Sequence, residues 1–216
     1  MPGRILDVIN ELDADVVAIQ EADKRLGARP TALPRTEISR STDFVPANIS
    51  TNDASLGWHG NAILVRKGLI VRQEDRIELP GLEPRGAATV VLEKEGHLFR
   101  VVSTHLGLTR KMRQAQLARI AEHVKHQPQM ATMIMGDFNE WTTDRGLEPL
   151  AGDYEVHAPG RSFHAARPMA ALDRIAVNSL LELRDAGVNE TLLAQRASDH
   201  LPVWADLRFD LPNKPE

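Results

Sequence analysis

The sequence predicts an α+β domain of the layered α/β kind. Apolar runs of strand length recur along the chain, two stretches carry helical apolar spacing, and the two patterns do not alternate as regular βαβ units. At 216 residues the chain suits one domain with a sizeable buried core. We place that domain at residues 1–211 and expect a frayed tail at 212–216.

Ile5, Leu6, Ile9 and Leu12 fall on one helical face, and Ala14 to Ile19 follows as a compact apolar run ending in Gln20-Glu21. From Ala22 to Trp58 the chain is polar, with Pro30, Pro34 and Pro46 and no sustained period, and reads as long loops. Strand patterns resume at Asn61–Val65, Leu69–Arg72, Ala87–Leu92 and Leu98–Ser103, the last two joined by a hairpin turn at Lys94-Glu95-Gly96-His97. Thr109 is placed to cap a helix whose apolar face is Met112, Ala115, Leu117, Ile120 and Val124, closed by Pro128. Met130–Met135 is another strand, and short strands are expected at Ile175–Val177 and Val203–Leu207.

Composition narrows the function. There are 26 Lys and Arg against 30 Asp and Glu, a net charge of -4, so any polyanion must be met by a local patch or a bound cation rather than by the overall field. The lack of cysteine removes disulfides, thiolate zinc sites and cysteine nucleophiles, and fits a reducing compartment. No apolar run reaches the roughly 20 residues that span a bilayer, and the start does not resemble a signal peptide. A cytoplasmic location is the expectation.

Chemistry-bearing residues gather where strands end. Val16–Ile19 leads to Gln20-Glu21, Val101–Thr104 to His105, and Met133–Gly136 to Asp137 and Asn139; Asp199-His200 leads into the Val203 strand. Carboxylates and amides are hard oxygen ligands suited to Mg²⁺ or Mn²⁺, leaving imidazoles for protons or phosphate charge. There is no Gly-x-x-x-x-Gly-Lys loop, which argues against a P-loop nucleotidase.

Gln20-Glu21, Gly60-Asn61-Ala62, Ser103-Thr104-His105-Leu106, Gly136-Asp137-Phe138-Asn139, Leu172-Asp173-Arg174-Ile175 and Ser198-Asp199-His200-Leu201-Pro202 occur in this order. Together they resemble the endonuclease/exonuclease/phosphatase superfamily of deoxyribonuclease I-like phosphohydrolases, from about Ile5 to Leu207. The resemblance implies a four-layer αββα sandwich of two mostly antiparallel sheets and a divalent-metal-dependent phosphoesterase, foremost a phosphodiesterase or endonuclease. Glu21 and Asp199 would hold Mg²⁺ or Mn²⁺. Asp137 would orient or deprotonate the attacking water, with Asn139 on that water or the phosphate. His200, oriented by Asp173, would stabilise the phosphorane-like charge, and His105 would lie near the leaving group. Asn61, Arg85 and Arg113 are candidate phosphate contacts. The substrate would be a phosphate ester, DNA or a small phosphodiester; an inositol or lipid phosphoester is open within the same chemistry.

The family pattern also begins with a core strand ending in an Asn, whereas Met1-Pro2-Gly3 opens directly on the helix after it. The reading frame starts upstream, or the chain is shortened, or the protein lacks the strand; in that last case a non-catalytic binding module is the alternative. Bland uses compete residue by residue. Asp137 and Asn139 suit an Asx turn, Asp173 could pair with Arg174, and Arg110, Lys111 and Arg113 could form a solvated helix face.

Overall fold

A computed structural model describes residues 2–81, 83–142 and 145–210. The elements in chain order are α1 (Pro2–Leu12), β1 (Val16–Ile19), α2 (Arg35–Ser41), β2 (Phe44–Pro46), β3 (Ala62–Arg66), β4 (Ile70–Glu78), β5 (Gly86–Lys94) and β6 (His97–His105). They continue as α3 (Arg110–Lys125), β7 (Ala131–Asp137), β8 (Glu155–His157), β9 (Asp173–Val177), β10 (Leu181–Val188), α4 (Ala194–Ala197) and β11 (Val203–Phe209). The tail at 212–216 lies outside the described residues.

A six-stranded sheet ordered β4-β5-β6-β7-β9-β8 forms one inner layer; every pairing is antiparallel except β6–β7. The second inner layer is in two pieces, a three-stranded sheet β1-β3-β2 and the hairpin β10-β11. Strand alternation explains the layering. Phe99, Val101, Ala131, Ile175 and Val177 point between the layers with Ile63, Val65, Val203, Ala205 and Leu207. Their neighbours Val102, Ile134 and Ala176 point outward onto Leu117, Ile120 and Val124 of α3. On the far side Leu6 and Ile9 of α1 and Ile38 of α2 cover Ala62 and Leu64 of β3. The result is the expected helix–sheet–sheet–helix stack.

Several local expectations need correction. The segment 22–58 holds α2 and β2, because Ile38 and Phe44 reach the core. Strand β4 runs to Glu78 as an edge strand with a largely exposed face, and this hid it from an apolar pattern. Segments β8 and β10 are strands, though three of the eight residues of β10, Glu182, Arg184 and Asp185, are charged and its pairing with β11 shifts register between Leu183 and Asp185. Thr109 sits at the N-cap of α3 without a side-chain capping bond. The buried face of α3 carries Arg113 and Gln116 in place of Met112 and Ala115, since Gln116 accepts from Gly107 N–H and donates to the Pro80 carbonyl.

The hairpin between β5 and β6 pairs Lys94 with His97 across Glu95 and Gly96, both at positive φ (52° and 82°), as a two-residue turn with a right-handed sheet twist requires.

Gly136 carries a heavier constraint. Its φ is 141°, and a Cβ there would stand 2.0 Å from the Thr104 carbonyl oxygen on the neighbouring parallel strand. Gly136→Ala is therefore expected to cost roughly 2–4 kcal/mol, read as a lower urea midpoint at unchanged slope. Gly3→Ala, where a Cβ meets nothing within 4 Å, should leave stability unchanged or slightly raised.

Candidate functional site

Three strands present the inward-facing residues at one end of the sheet in a row: the last of β6 and β7 and the first of β9. Parallel pairing sets His105 opposite Asp137, and antiparallel pairing sets Asp137 opposite Asp173. The same alternation that buries Phe99 and Val101 between the layers carries on to His105, and that of Ala131 carries on to Asp137. All three side chains are at least nine-tenths buried. His105 Nε2 lies 3.3 Å from Asp137 Oδ2.

The second layer supplies the partner. His200 stands just before β11, and its Nδ1 is 2.8 Å from Asp173 Oδ2, leaving Nε2 4.0 Å from Asp137 Oδ2. Ser162, fully buried, donates its hydroxyl to the same Asp173 oxygen. The Phe163 ring packs 4.9 Å from the imidazole. Asp173 therefore orients His200, and Arg174 is not its ion-pair partner. Arg174 is instead buried and donates to the backbone carbonyls of Ala171, Asp173, Glu140 and Thr142.

Asp137 and Asn139 do make an Asx turn: the Asn139 N–H donates to Asp137 Oδ1 at 2.8 Å. That turn leaves Oδ2 for the two imidazoles. Asn139 adopts φ 52°, and its side-chain amide donates to the Leu106 carbonyl at 2.9 Å, with both Asn139 and Leu108 on the cleft wall. Beneath the turn, Glu140 is buried and takes Arg113 Nη2 at 2.6 Å. Burial opposes its charge, but Arg113 and Thr142 bring the Glu140 carboxyl down to about 2.

Glu21, Asp137, Asp173, Asp199, His105 and His200 line one cleft of about 1150 Å³. The cleft is far larger than a phosphate because it continues between β1 and β11 over Met133, Met135 and Phe99 to Lys94 and His97 at the far end. Glu21, at φ 55°, is ion-paired with Arg25, and both side chains are exposed. Arg85 also faces the cleft, held by Glu83 at 3.0 Å. Among the described residues no three His, Asp or Glu side chains form a ready ligand cluster. Glu21 and Asp199 offer single carboxylates lining the same cleft, donors suited to a hard cation that keeps much of its water.

Two candidate contacts sit elsewhere. Arg113 is buried against Glu140 and the Leu108 carbonyl, so its guanidinium is spent on holding two loops. Asn61 is buried and donates to the Gly86 and Trp58 carbonyls, away from the cleft wall. Sequence reasoning missed Ser162, Glu140 and the clamp role of Arg174. Glu140 had one usable signal, an acid directly after Asp137-Phe138-Asn139 with basic residues at Arg110 and Arg113; Ser162 had none.

Electrostatics follow from the packing. Burial would lower the His200 imidazole, but the Asp173 hydrogen bond and the charges of Asp173, Asp137 and Asp199 push it up to about 9. Burial would raise the Asp137 carboxyl, but His105, the Asn139 N–H and His200 hold it below its ordinary value. At neutral pH the site thus holds an imidazolium donor beside a carboxylate acceptor.

The fold and site define a layered α/β sandwich with an Asp/His cluster at the strand ends. The chain belongs to the Endonuclease/Exonuclease/phosphatase family, whose model matches residues 2–200. It is 28% identical to the uncharacterized protein YbhP of Escherichia coli (strain K12) over 224 residues, covering 94% of this chain and 87% of that protein. The mannosyl-6-phosphatase of Bacteroides thetaiotaomicron VPI-5482 shares the fold at a TM-score of 0.76 and 15% identity, over 95% of this chain and 89% of that one. So does D. rerio TDP2 complexed with single-strand DNA product, at 0.73 and 17%, over 95% and 91%.

The raised His200 pKa fixes a sign. The folded state favours the protonated imidazole, so its stabilisation is complete below the unfolded value near 6.5 and disappears as pH rises through about 9. The stability advantage of the wild type over His200→Gln should shrink across that window. In protein kept in EDTA, the NMR titration of His200 should have its midpoint near 9, and Asp173→Asn should lower it by at least about one unit.

Proposed function

We propose that the chain is a divalent-metal-dependent phosphoesterase, foremost a phosphodiesterase of the endonuclease-like kind. The observation that carries the reading is the row His105–Asp137–Asp173 with His200 bridging Asp173 and Asp137. Family membership supports it, since such proteins are generally hydrolytic phosphoesterases. Glu21 and Asp199 would hold the Mg²⁺ or Mn²⁺, with Arg25 withdrawing from Glu21. The ion's contribution when bound is to polarise the phosphoryl group and neutralise its charge.

This chain's own residues account for the rest. Asp137 takes the proton of the attacking water, whose oxygen forms the new bond to phosphorus as the bond to the leaving oxygen breaks. His200 Nε2–H donates to a non-bridging oxygen as negative charge develops, and Asp173 and Ser162 keep the ring in place for it. His105 fixes Asp137 from the other side, near where the leaving oxygen departs and takes up a proton from solvent water. Asn139 and Arg85 face the bound phosphate.

The direct test is hydrolysis of bis-p-nitrophenyl phosphate, p-nitrophenyl phosphate and plasmid DNA with Mg²⁺, Mn²⁺ or EDTA. EDTA should abolish turnover, and Asp137→Ala and His200→Ala should each lower kcat by at least about 100-fold. Diester activity unchanged in both variants would sink the proposal. The ratio of diester to monoester rates decides between a phosphodiesterase and a small-molecule phosphatase.

A further inference from the structure

Among the described residues, the most exposed large apolar side chains are Leu26 at 85%, Leu192 at 71%, Leu108 and Trp141 at 67% and Met169 at 65%; the remaining exposed ones reach only 46%. All five lie on loops that leave the strands at the site end. Leu26 follows Glu21, Leu108 follows His105, Trp141 follows Asp137 and Met169 precedes Asp173, each within five residues; Leu192 follows β10, whose end pairs with the start of β11. Isolated apolar side chains on a surface are ordinary, but their concentration on the loops at one end of the fold is not.

Two of these loops are tied together. Arg113 donates to the Leu108 carbonyl at 2.7 Å and to Glu140 Oε2 at 2.6 Å, and Trp141 follows Glu140 directly. Leu108 and Trp141 are therefore presented from a fixed base rather than from free loops. Cations accompany three of the five, whereas Leu192 follows Glu190. Lys24 and Arg25 adjoin Leu26, Arg110 and Lys111 follow Leu108, and Arg167 precedes Met169. The loops at 22–34, 106–112 and 158–172 hold one acid, Asp23, which is buried on the Leu56 and Gly57 N–H groups. The Trp141 loop is not basic: Arg145 there faces Glu140 and Asp144 in the sequence.

We propose that this rim docks on an anionic lipid surface. Leucine, methionine and tryptophan enter the headgroup region, while Lys24, Lys111 and Arg167 meet lipid phosphates. A tryptophan with one face apolar and an indole N–H suits that boundary, and cationic side chains beside apolar ones reach the phosphates from the same loops. Docking would bring headgroup phosphates to the mouth of the cleft. Membrane binding itself goes beyond the phosphoesterase reading, and only the delivery of a headgroup ester to Asp137 and His200 rests on it.

The test is sedimentation of the full chain with phosphatidylcholine vesicles and with vesicles containing phosphatidylglycerol, in EDTA so that turnover plays no part. Preference for the anionic vesicles should be at least about tenfold and fall with added salt. Emission from Trp141, the exposed one of the three tryptophans, should shift to the blue on binding. Leu108→Ser/Trp141→Ser should weaken binding to both vesicle types with an unchanged circular dichroism spectrum, and Lys111→Glu/Arg167→Glu should remove the anionic preference. Wild type left in the supernatant with both vesicle types, or either double variant binding like wild type, overturns the proposal. So does a single-stranded oligonucleotide that binds through the same residues while vesicles do not. Loss of esterase activity with vesicle binding intact would count against the function proposed above and leave the docking surface standing.

Discussion

The site depends on one pairing, the parallel contact of β6 with β7. It is the only parallel ladder among the described strands, and its register decides which side chains share a row. A slip of one residue would turn either strand's site group from the inner face to the helix-covered face. The register is guarded by Gly136, where any side chain would collide with the Thr104 carbonyl. A parallel ladder also needs a long crossover, and α3 supplies it, packed on the outer face through Leu117, Ile120 and Val124. Core packing and site assembly are thus one construction: the hydrophobic alternation that builds the sandwich delivers His105 and Asp137 at its edge.

The other necessary link joins the two layers. Strands β9 and β11 belong to different sheets, and the Asp173–His200 hydrogen bond is a polar contact between them at the cleft. It stands close to Asp137, so three groups with opposed tendencies share one pocket. Buried ion pairs are poor evidence for stability, because desolvation offsets most of their attraction. Their value here is positional. Glu140, Arg113 and Arg174 belong to the same class: Arg174 ties the chain before Asp173 to the turn after Asp137, and Glu140 ties that turn to α3. The loops bearing the site are pinned by these polar ties together with the packing of Leu106 and Phe138 into the core.

Much of this was legible in the sequence where function leaves ordered polar motifs at the ends of apolar runs. Glu21, His105, Asp137, Asn139, Asp173, Asp199 and His200 all reach the cleft wall from such positions. What escaped was of two kinds. Elements whose apolar signal is diluted by solvent exposure, such as β4 and β10, or cut short, such as α2 and β2, have no period to read; their order comes from pairing and from single anchors such as Ile38 and Phe44. Polar residues with structural duties also mislead. Arg113 and Asn61 carry groups that suit phosphate, yet each satisfies buried carbonyls or a carboxylate, a role fixed by three-dimensional neighbours. The split of the second layer into two pieces likewise depends on which strand edges meet.

Charge balance fits the cation of the proposed reading. The chain has a net charge of -4, and Glu21, Asp137, Asp173 and Asp199 face the cleft that would receive the anionic ester under the proposed function. One imidazolium and the guanidinium groups of Arg25 and Arg85 offset them only in part, and Arg85 is engaged by Glu83. Repulsion at this short range cannot be screened by salt as a distant field can. Arg25 on Glu21 is then a natural counter-ion for the resting site, and a divalent ion exchanging with it would turn a locally acidic wall into one that accepts phosphate. His200 complements that exchange from the opposite side of Asp137, where its proton is held by the carboxylates that would otherwise repel the ester. The acids of the cleft are therefore what hold its cations in place.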